Sequence, residues 1–144
     1  MTEDVKKDVD RGFMDVEGIS VGHSEDTEAL TGCTVLLLEG GSIVACDARG
    51  GYPGTYDTHS IEVTKTFVEK QAIFLVGGDV FGFDAAIGVR NYLLEKGLAS
   101  RRLPKMPFIV GANIYDLSFA QIEKASYQQL GYDACMNLSA KGVK

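Results

Sequence analysis

The chain has 144 residues, is 45% hydrophobic and carries 14 Lys and Arg against 20 Asp and Glu. That length and balance fit one globular domain or part of a larger one, and they exclude a largely disordered chain. The net charge of −6 argues against a nucleic-acid binder, which needs basic patches; the compact basic stretch of Arg101, Arg102 and Lys105 reads as a solvated loop.

Met1 to Arg11 alternates acids and lysines without an apolar stretch. It reads as part of a flexible lead-in over residues 1–17, with no signal peptide. No apolar run is long enough to span a membrane, so a cytoplasmic location is the default expectation. Ile19 to His23 predicts a short first strand. Cys33 to Glu39 is apolar and β-rich, and Ser42 to Ala48 reads as its return strand across a Gly40-Gly41 hairpin turn. The runs are continuous rather than alternating, which suits a sheet covered on both faces. Arg49 to Thr55 is glycine- and proline-punctuated and must be a loop. Ile61 to Lys70 is expected to form a short helix, and Ala72 to Val76 a buried strand ending at Gly77-Gly78.

Phe81 to Lys96 is the clearest predicted helix, with Phe81, Ala85, Val89, Tyr92 and Leu93 on one face and Gly97 as its stop. Pro107 to Val110 predicts another buried strand. Phe119 to Leu130 is expected as a second helix, closed by Gly131. The order of elements suggests an α+β fold, a mixed sheet covered by helices, in one domain over residues 18–144. Cys33, Cys46 and Cys135 lack CxxC spacing and read as buried, reduced thiols.

The Gly77–Gly82 turn joins a strand to a helix, a place where backbone N–H groups suit an anion or a developing oxyanion. Its GGxxxG spacing meets neither nucleotide-binding fingerprint, and packing is the alternative role for its glycines. Asp79 stands where it can cap the helix. There is no GxSxG elbow, HExxH or EF-hand loop, and His23 and His59 are too few for a metal site. Tyr115 follows a strand, where α/β folds place working residues, and its phenol could donate to a reacting carbonyl. A tyrosine closing the core is the alternative.

Seven stretches in register resemble one family: Gly18–His23, Thr31–Val35, Asp47–Gly51, Pro53–Thr55, Gly77–Ala86, Asn113–Leu117 and Leu130–Cys135. They are similar to the DmpA-like peptidases, also called P1-family peptidases or L-aminopeptidase/D-esterases. The resemblance implies a four-layer α/β/β/α sandwich, usually in homo-oligomers, hydrolysing peptide or amide substrates through an acyl-enzyme without metal or cofactor. It implies a precursor that cuts itself before a Ser or Thr, whose own amine then serves as base. Tyr115 matches the tyrosine that assists the acyl transition state. Asn113 stands where some aminopeptidase members carry a glutamate that holds the substrate's amino group. Asp79 replaces a serine, and Gly78, Asp79 and Phe81 are expected at the substrate pocket. The C-terminal β portion, with the nucleophile and an oxyanion-binding asparagine, is expected beyond Lys144. The isolated chain is therefore expected to be inactive. A degenerate binding or assembly module of the same fold is the alternative, and related transferase chemistry ranks lower.

Overall fold

The computed structural model describes residues 12, 15–66, 69–103 and 105–139; of the expected lead-in, only residues 12 and 15–17 are among them. The described chain forms a five-stranded mixed sheet in the order β1-β2-β4-β5-β3. The strands are β1 (Ile19–Asp26), β2 (Thr31–Ile43), β3 (Thr55–Tyr56), β4 (Glu69–Val76) and β5 (Ile109–Asn113). Two helices, α1 (Ala85–Glu95) and α2 (Tyr127–Met136), complete the fold. β4 and β5 run parallel, and the other pairings are antiparallel. The α+β class expected from the order of elements is what forms.

Pairing register sorts the side chains into two faces. Gly22, Val35, Phe74, Gly111 and Tyr56 are successive cross-strand partners. This row faces the helices: Gly22 abuts the Ala134 carbonyl of α2, and Phe74 packs over Gly111. Val35, Phe74, Val89, Leu93, Leu130 and Ala134 belong to one buried core with Ala72, Val76 and Ile109. The neighbouring row, Val21, Leu36, Ile73 and Val110, points to the opposite face. Both faces of the sheet are thus apolar, which explains why the strand sequences lack strict alternation.

The helices approach each other closely through reciprocal glycines. Gly88 of α1 lies against the Gln128 carbonyl, and Gly131 of α2 lies against the Ala85 carbonyl. Gly131 is therefore an interior helical residue rather than a helix stop. The expected helix over Phe119 to Leu130 instead begins at Tyr127. The Gln121 N–H is taken by the Ala29 carbonyl, 2.9 Å away on a different loop, so a tertiary bond replaces the helical one.

Three other expectations are corrected. Gly40-Gly41 is not a hairpin turn: β2 continues through it, and the register jumps between Leu37 and Ser42. The positive φ values of 74° and 79° make a bulge there, and a Cβ on Gly41 would meet the Glu69 carboxylate at 2.6 Å. Ser42 and Ile43 then pair with Lys70 and Glu69, which draws the end of the helix expected over Ile61 to Lys70 into β4, while a 3-10 turn, Thr58–Ile61, ends where that helix was to begin. The helix expected from Phe81 starts as a 3-10 turn, Asp79–Asp84, before α1. Gly97 does stop α1, with φ 68°. Of the thiols, Cys33 and Cys135 are buried but Cys46 is exposed.

Lys70 is fully buried in β4. Its ammonium donates to Ser60 Oγ at 2.8 Å, lies 3.8 Å from Asp57 Oδ2, and covers the Phe108 ring. Burial lowers its pKa, and Asp57 opposes that shift. The contact ties the Thr58–Ile61 turn to the sheet.

Two outcomes follow from this packing. Gly131→Ala gains roughly 1 kcal/mol of helix propensity, but its Cβ would strike backbone, which cannot rotate aside, at an overpacking cost of about 1–3 kcal/mol. Urea unfolding should show net destabilisation; a more stable variant would contradict the close helix contact. Burial pushes the Cys33 and Cys135 thiols from 9.0 up to about 12, with Cys135 adding to the shift at Cys33. The unfolded chain loses these protons first, so their contribution is whole below pH 9 and is lost as pH rises from about 9 to about 12. Between about pH 8 and about pH 10.5, Cys33→Ala should lose less stability than the parent chain. Equal slopes would show that Cys33 is not buried as described.

Candidate functional site

Parallel neighbours present their C-terminal ends at the same edge of a sheet, the usual location of α/β sites. Here Val76 of β4 stands opposite Asn113 of β5. The Gly77-Gly78-Asp79 turn and the Asn113–Asp116 segment therefore leave the sheet side by side. The Ile114 N–H donates to the Val76 carbonyl at 2.9 Å, and the Ile114 carbonyl accepts from the Asp79 N–H at 3.1 Å. The glycine-rich loop joins from the other side, because the Asn113 N–H donates to the Gly54 carbonyl at 2.9 Å. Gly54 lies so close to the Asn113 side chain that any Cβ there would collide with it.

Asp116 organises the base. It is 5% exposed. Its Oδ1 accepts the Gly78 N–H at 2.7 Å, and its Oδ2 accepts the Thr31 hydroxyl at 3.3 Å. Gly77 must lack a side chain because this carboxylate and the Thr31 hydroxyl both press against its Cα. Gly78 has φ 83° and lies over the Tyr127 ring. The Tyr127 hydroxyl is buried without a well-formed hydrogen bond. Burial raises its pKa, with the Thr31 hydroxyl acting in the opposite sense.

The backbone amides of the turn are already committed. Gly77 N–H donates to the Gly32 carbonyl at 3.0 Å, Gly78 N–H to Asp116, and Asp79 N–H to Ile114. These three amides leave nothing for an anion, so the oxyanion role expected of the turn does not fall to them. Gly78 contributes by shaping the turn that presents Asp79.

Asp79 sits at the centre, 5% exposed, in a left-handed conformation with φ 50°. Its Oδ1 accepts from Asn113 Nδ2 at 3.2 Å and its Oδ2 from the Tyr52 hydroxyl at 3.4 Å. The Asp79 carboxylate holds the Tyr52 phenol above its ordinary pKa. Tyr115 stands at the rim, 66% exposed. Phe81 is half-exposed on the 3-10 turn, its N–H donated to the Gly78 carbonyl. The structure thus gathers Asp79, Asn113 and Tyr115 at one sheet end, with Phe81 on the turn beyond.

Tyr52, Asp116 and Tyr127 were not singled out from the sequence. Tyr52 lies within the Arg49–Thr55 loop and Asp116 directly follows Tyr115, so a polar residue beside each flagged feature was the available signal. Tyr127 had none, since it arrives from a distant helix. His23 instead pairs with Thr34, and His59 with Glu62. Among the described residues, no cluster of three or more His, Cys, Asp or Glu is placed to hold a metal, and no helix is long and apolar enough to cross a membrane. A separate open groove of about 950 Å³, lined by residues including His23, Asp26, Leu30 and Phe119, runs along the β1–β2 end; Thr31 lines it, but Asp79, Asn113, Tyr115 and Phe81 do not.

Comparison with known proteins fits this architecture. The chain is 35% identical over 130 residues to an uncharacterized aminopeptidase of Mycobacterium leprae, an alignment covering 84% of this chain and 36% of that protein. It is 33% identical over 104 residues to the 6-aminohexanoate-oligomer endohydrolase of Paenarthrobacter ureafaciens, covering 72% of this chain and 27% of the relative. The chain therefore spans well under half the length of these relatives. The fold matches the L-aminopeptidase D-Ala-esterase/amidase of Ochrobactrum anthropi, an Ntn-hydrolase variant, with a TM-score of 0.65 at 18% identity, over 91% of this chain and 40% of that one. The model of peptidase family S58 matches residues 12–143. With nearly its whole length matched, the chain belongs to peptidase family S58.

Proposed function

We propose that this chain is the α portion of a self-cleaving N-terminal-nucleophile amide hydrolase, completed by a C-terminal β portion that carries a Ser or Thr nucleophile. The observation that carries this reading is the placement of Tyr115 beside the Asp79–Asn113 pair at adjacent parallel strand ends, in a chain of family S58. The nucleophile's hydroxyl oxygen attacks the amide carbonyl while its own α-amine accepts the hydroxyl proton. The tetrahedral intermediate collapses to an acyl-enzyme as the proton passes to the leaving amine. Water then adds to the ester, and the acid and the free hydroxyl are released. Tyr115, whose phenol is exposed at the rim, donates a hydrogen bond to the reacting centre.

The apolar second face of the sheet supports a four-layer sandwich. Val21, Leu36, Ile73 and Val110 form a continuous row there, and Leu75 on the same face is 44% exposed. In this proposal a second sheet from the β portion covers that face. Free, buried Cys33 and Cys135 suit a reducing cytoplasm, and a homo-oligomer of the processed protein is the expected assembly. A second reading, a binding module without catalysis, draws support from the Gly77, Gly78 and Asp79 amides, which are engaged internally.

Intact-mass measurement of the native gene product separates the two. Two masses summing to the precursor plus one water are expected, and a single uncut mass would remove self-cleavage. In the processed protein, Tyr115→Phe should lower kcat for aminoacyl amides by roughly a hundredfold or more with little change in KM. An unchanged kcat would exclude Tyr115 from the chemistry. Turnover by these 144 residues alone would contradict the need for a β portion.

A further inference from the structure

Strand β3 has only two residues, Thr55 and Tyr56, and lies at the edge of the sheet. So short a ladder is marginal by itself. Yet the site leans on it. The Gly54 carbonyl, one residue before β3, accepts the Asn113 amide at 2.9 Å, and Tyr52 reaches Asp79 from the same loop. Part of the hold on β3 comes from Tyr56. Its ring packs on Phe74 and Phe83, and its hydroxyl accepts from Arg90 at 2.6 Å. The residues that follow β3 are held from another direction, by Lys70.

Lysines are almost never fully buried unless paired, and Lys70 is fully buried in β4. Its Nζ donates to Ser60 Oγ at 2.8 Å. The Ser60 hydroxyl in turn shares its proton between the Asp57 carbonyl at 2.6 Å and Asp57 Oδ2 at 2.9 Å. Thr58 closes the turn onto β3, its hydroxyl donating to Thr55 Oγ1 at 2.8 Å. Asp57 has φ 56°, a left-handed conformation that a non-glycine residue keeps only when its surroundings hold it. Net stability does not explain the lysine. The Asp57 side chain is 41% exposed and 3.8 Å from the ammonium, so solvent offsets much of their attraction. A methionine would fill the same space, but it could not bond to Ser60.

We infer that Lys70 is a positioning residue of the site. Through Ser60 and Asp57 it fixes the end of β3, which keeps the Gly54 carbonyl on Asn113 and Tyr52 within reach of Asp79. It acts through the Arg49–Thr55 loop and touches no substrate. The effect on turnover rests on reading the strand ends as the substrate site of the proposed amide hydrolase; the effect on the loop does not.

The test is Lys70→Met in the intact gene product, read by amide hydrogen exchange, urea unfolding and kinetics. Two neighbouring amides of one segment give the comparison. The Asn113 N–H faces the β3 side and bonds to Gly54, whereas the Ile114 N–H faces β4 and bonds to Val76. Exchange at Asn113 should quicken roughly tenfold or more, while Ile114 and the urea midpoint keep the parent's values. With aminoacyl amides, KM should rise roughly tenfold and kcat stay within about twofold, the opposite pattern to Tyr115→Phe. Ser60→Ala removes only the bridging hydroxyl and should reproduce the change at Asn113; it decides if Lys70→Met fails to fold. Unchanged exchange at Asn113, or equal acceleration at Asn113 and Ile114, would overturn the inference. So would a lowered kcat with KM unchanged. Faster Asn113 exchange in a gene product that hydrolyses no amide would sink the hydrolase reading and leave the anchor standing. Hydrolysis with Asn113 exchange and KM both unmoved by Lys70→Met would do the reverse.

Discussion

The Asp116 carboxylate is the tie on which the site depends. It joins three segments far apart in sequence: the Gly78 amide after β4, the Thr31 hydroxyl at the start of β2, and its own loop after β5. A charge-assisted bond of 2.7 Å at a 5% exposed position is worth about 1.5–3 kcal/mol, more than an ordinary surface contact. Its own carbonyl accepts the Phe119 and Ala120 amides at 3.0 Å, which fixes the loop that carries it. That tie acts together with the Asp79 N–H bond to the Ile114 carbonyl to hold Asp79 at positive φ facing Asn113.

Close packing does the rest, and glycine is what permits it. At Gly77 a side chain would displace the Asp116–Thr31 pair, and at Gly54 it would displace Asn113. The α1–α2 contact through Gly88 and Gly131 brings Tyr127 beneath Gly78. Helix packing and site geometry are therefore one problem. Moving α2 outward by a methyl group would withdraw the ring on which the turn rests. The apolar second face of the sheet extends the same logic outward. A covering layer there would clamp β4 and β5 from the side opposite the helices.

The sequence made some of this legible and hid the rest for identifiable reasons. The apolar run at Ala72–Val76 and the helical spacing from Ala85 to Leu93 are local signals, and both form as expected. The in-register motifs led to the family, which the S58 match bears out. Gly40-Gly41 misled because positive φ serves a bulge as readily as a turn, and only the Glu69–Lys70 pairing distinguishes them. The second helix was misplaced because the Gln121 amide is claimed by Ala29, a partner no window of neighbouring residues contains. Tyr115, Asn113 and Asp79 were singled out through motif position, while Asp116 and Tyr52 acquire meaning only once three separate loops are brought together. Side-chain roles at this site are tertiary properties.

The central claim is that Asp116 braces the strand ends locally, and amide hydrogen exchange tests it most directly. In Asp116→Ala the Gly78 N–H loses its partner, and the Asp79 and Ile114 amides lose the geometry that depends on it. Protection should drop at those three positions while the amides of α1 and α2 keep theirs. Unchanged protection at Gly78, or an equal loss throughout the chain, would contradict the account.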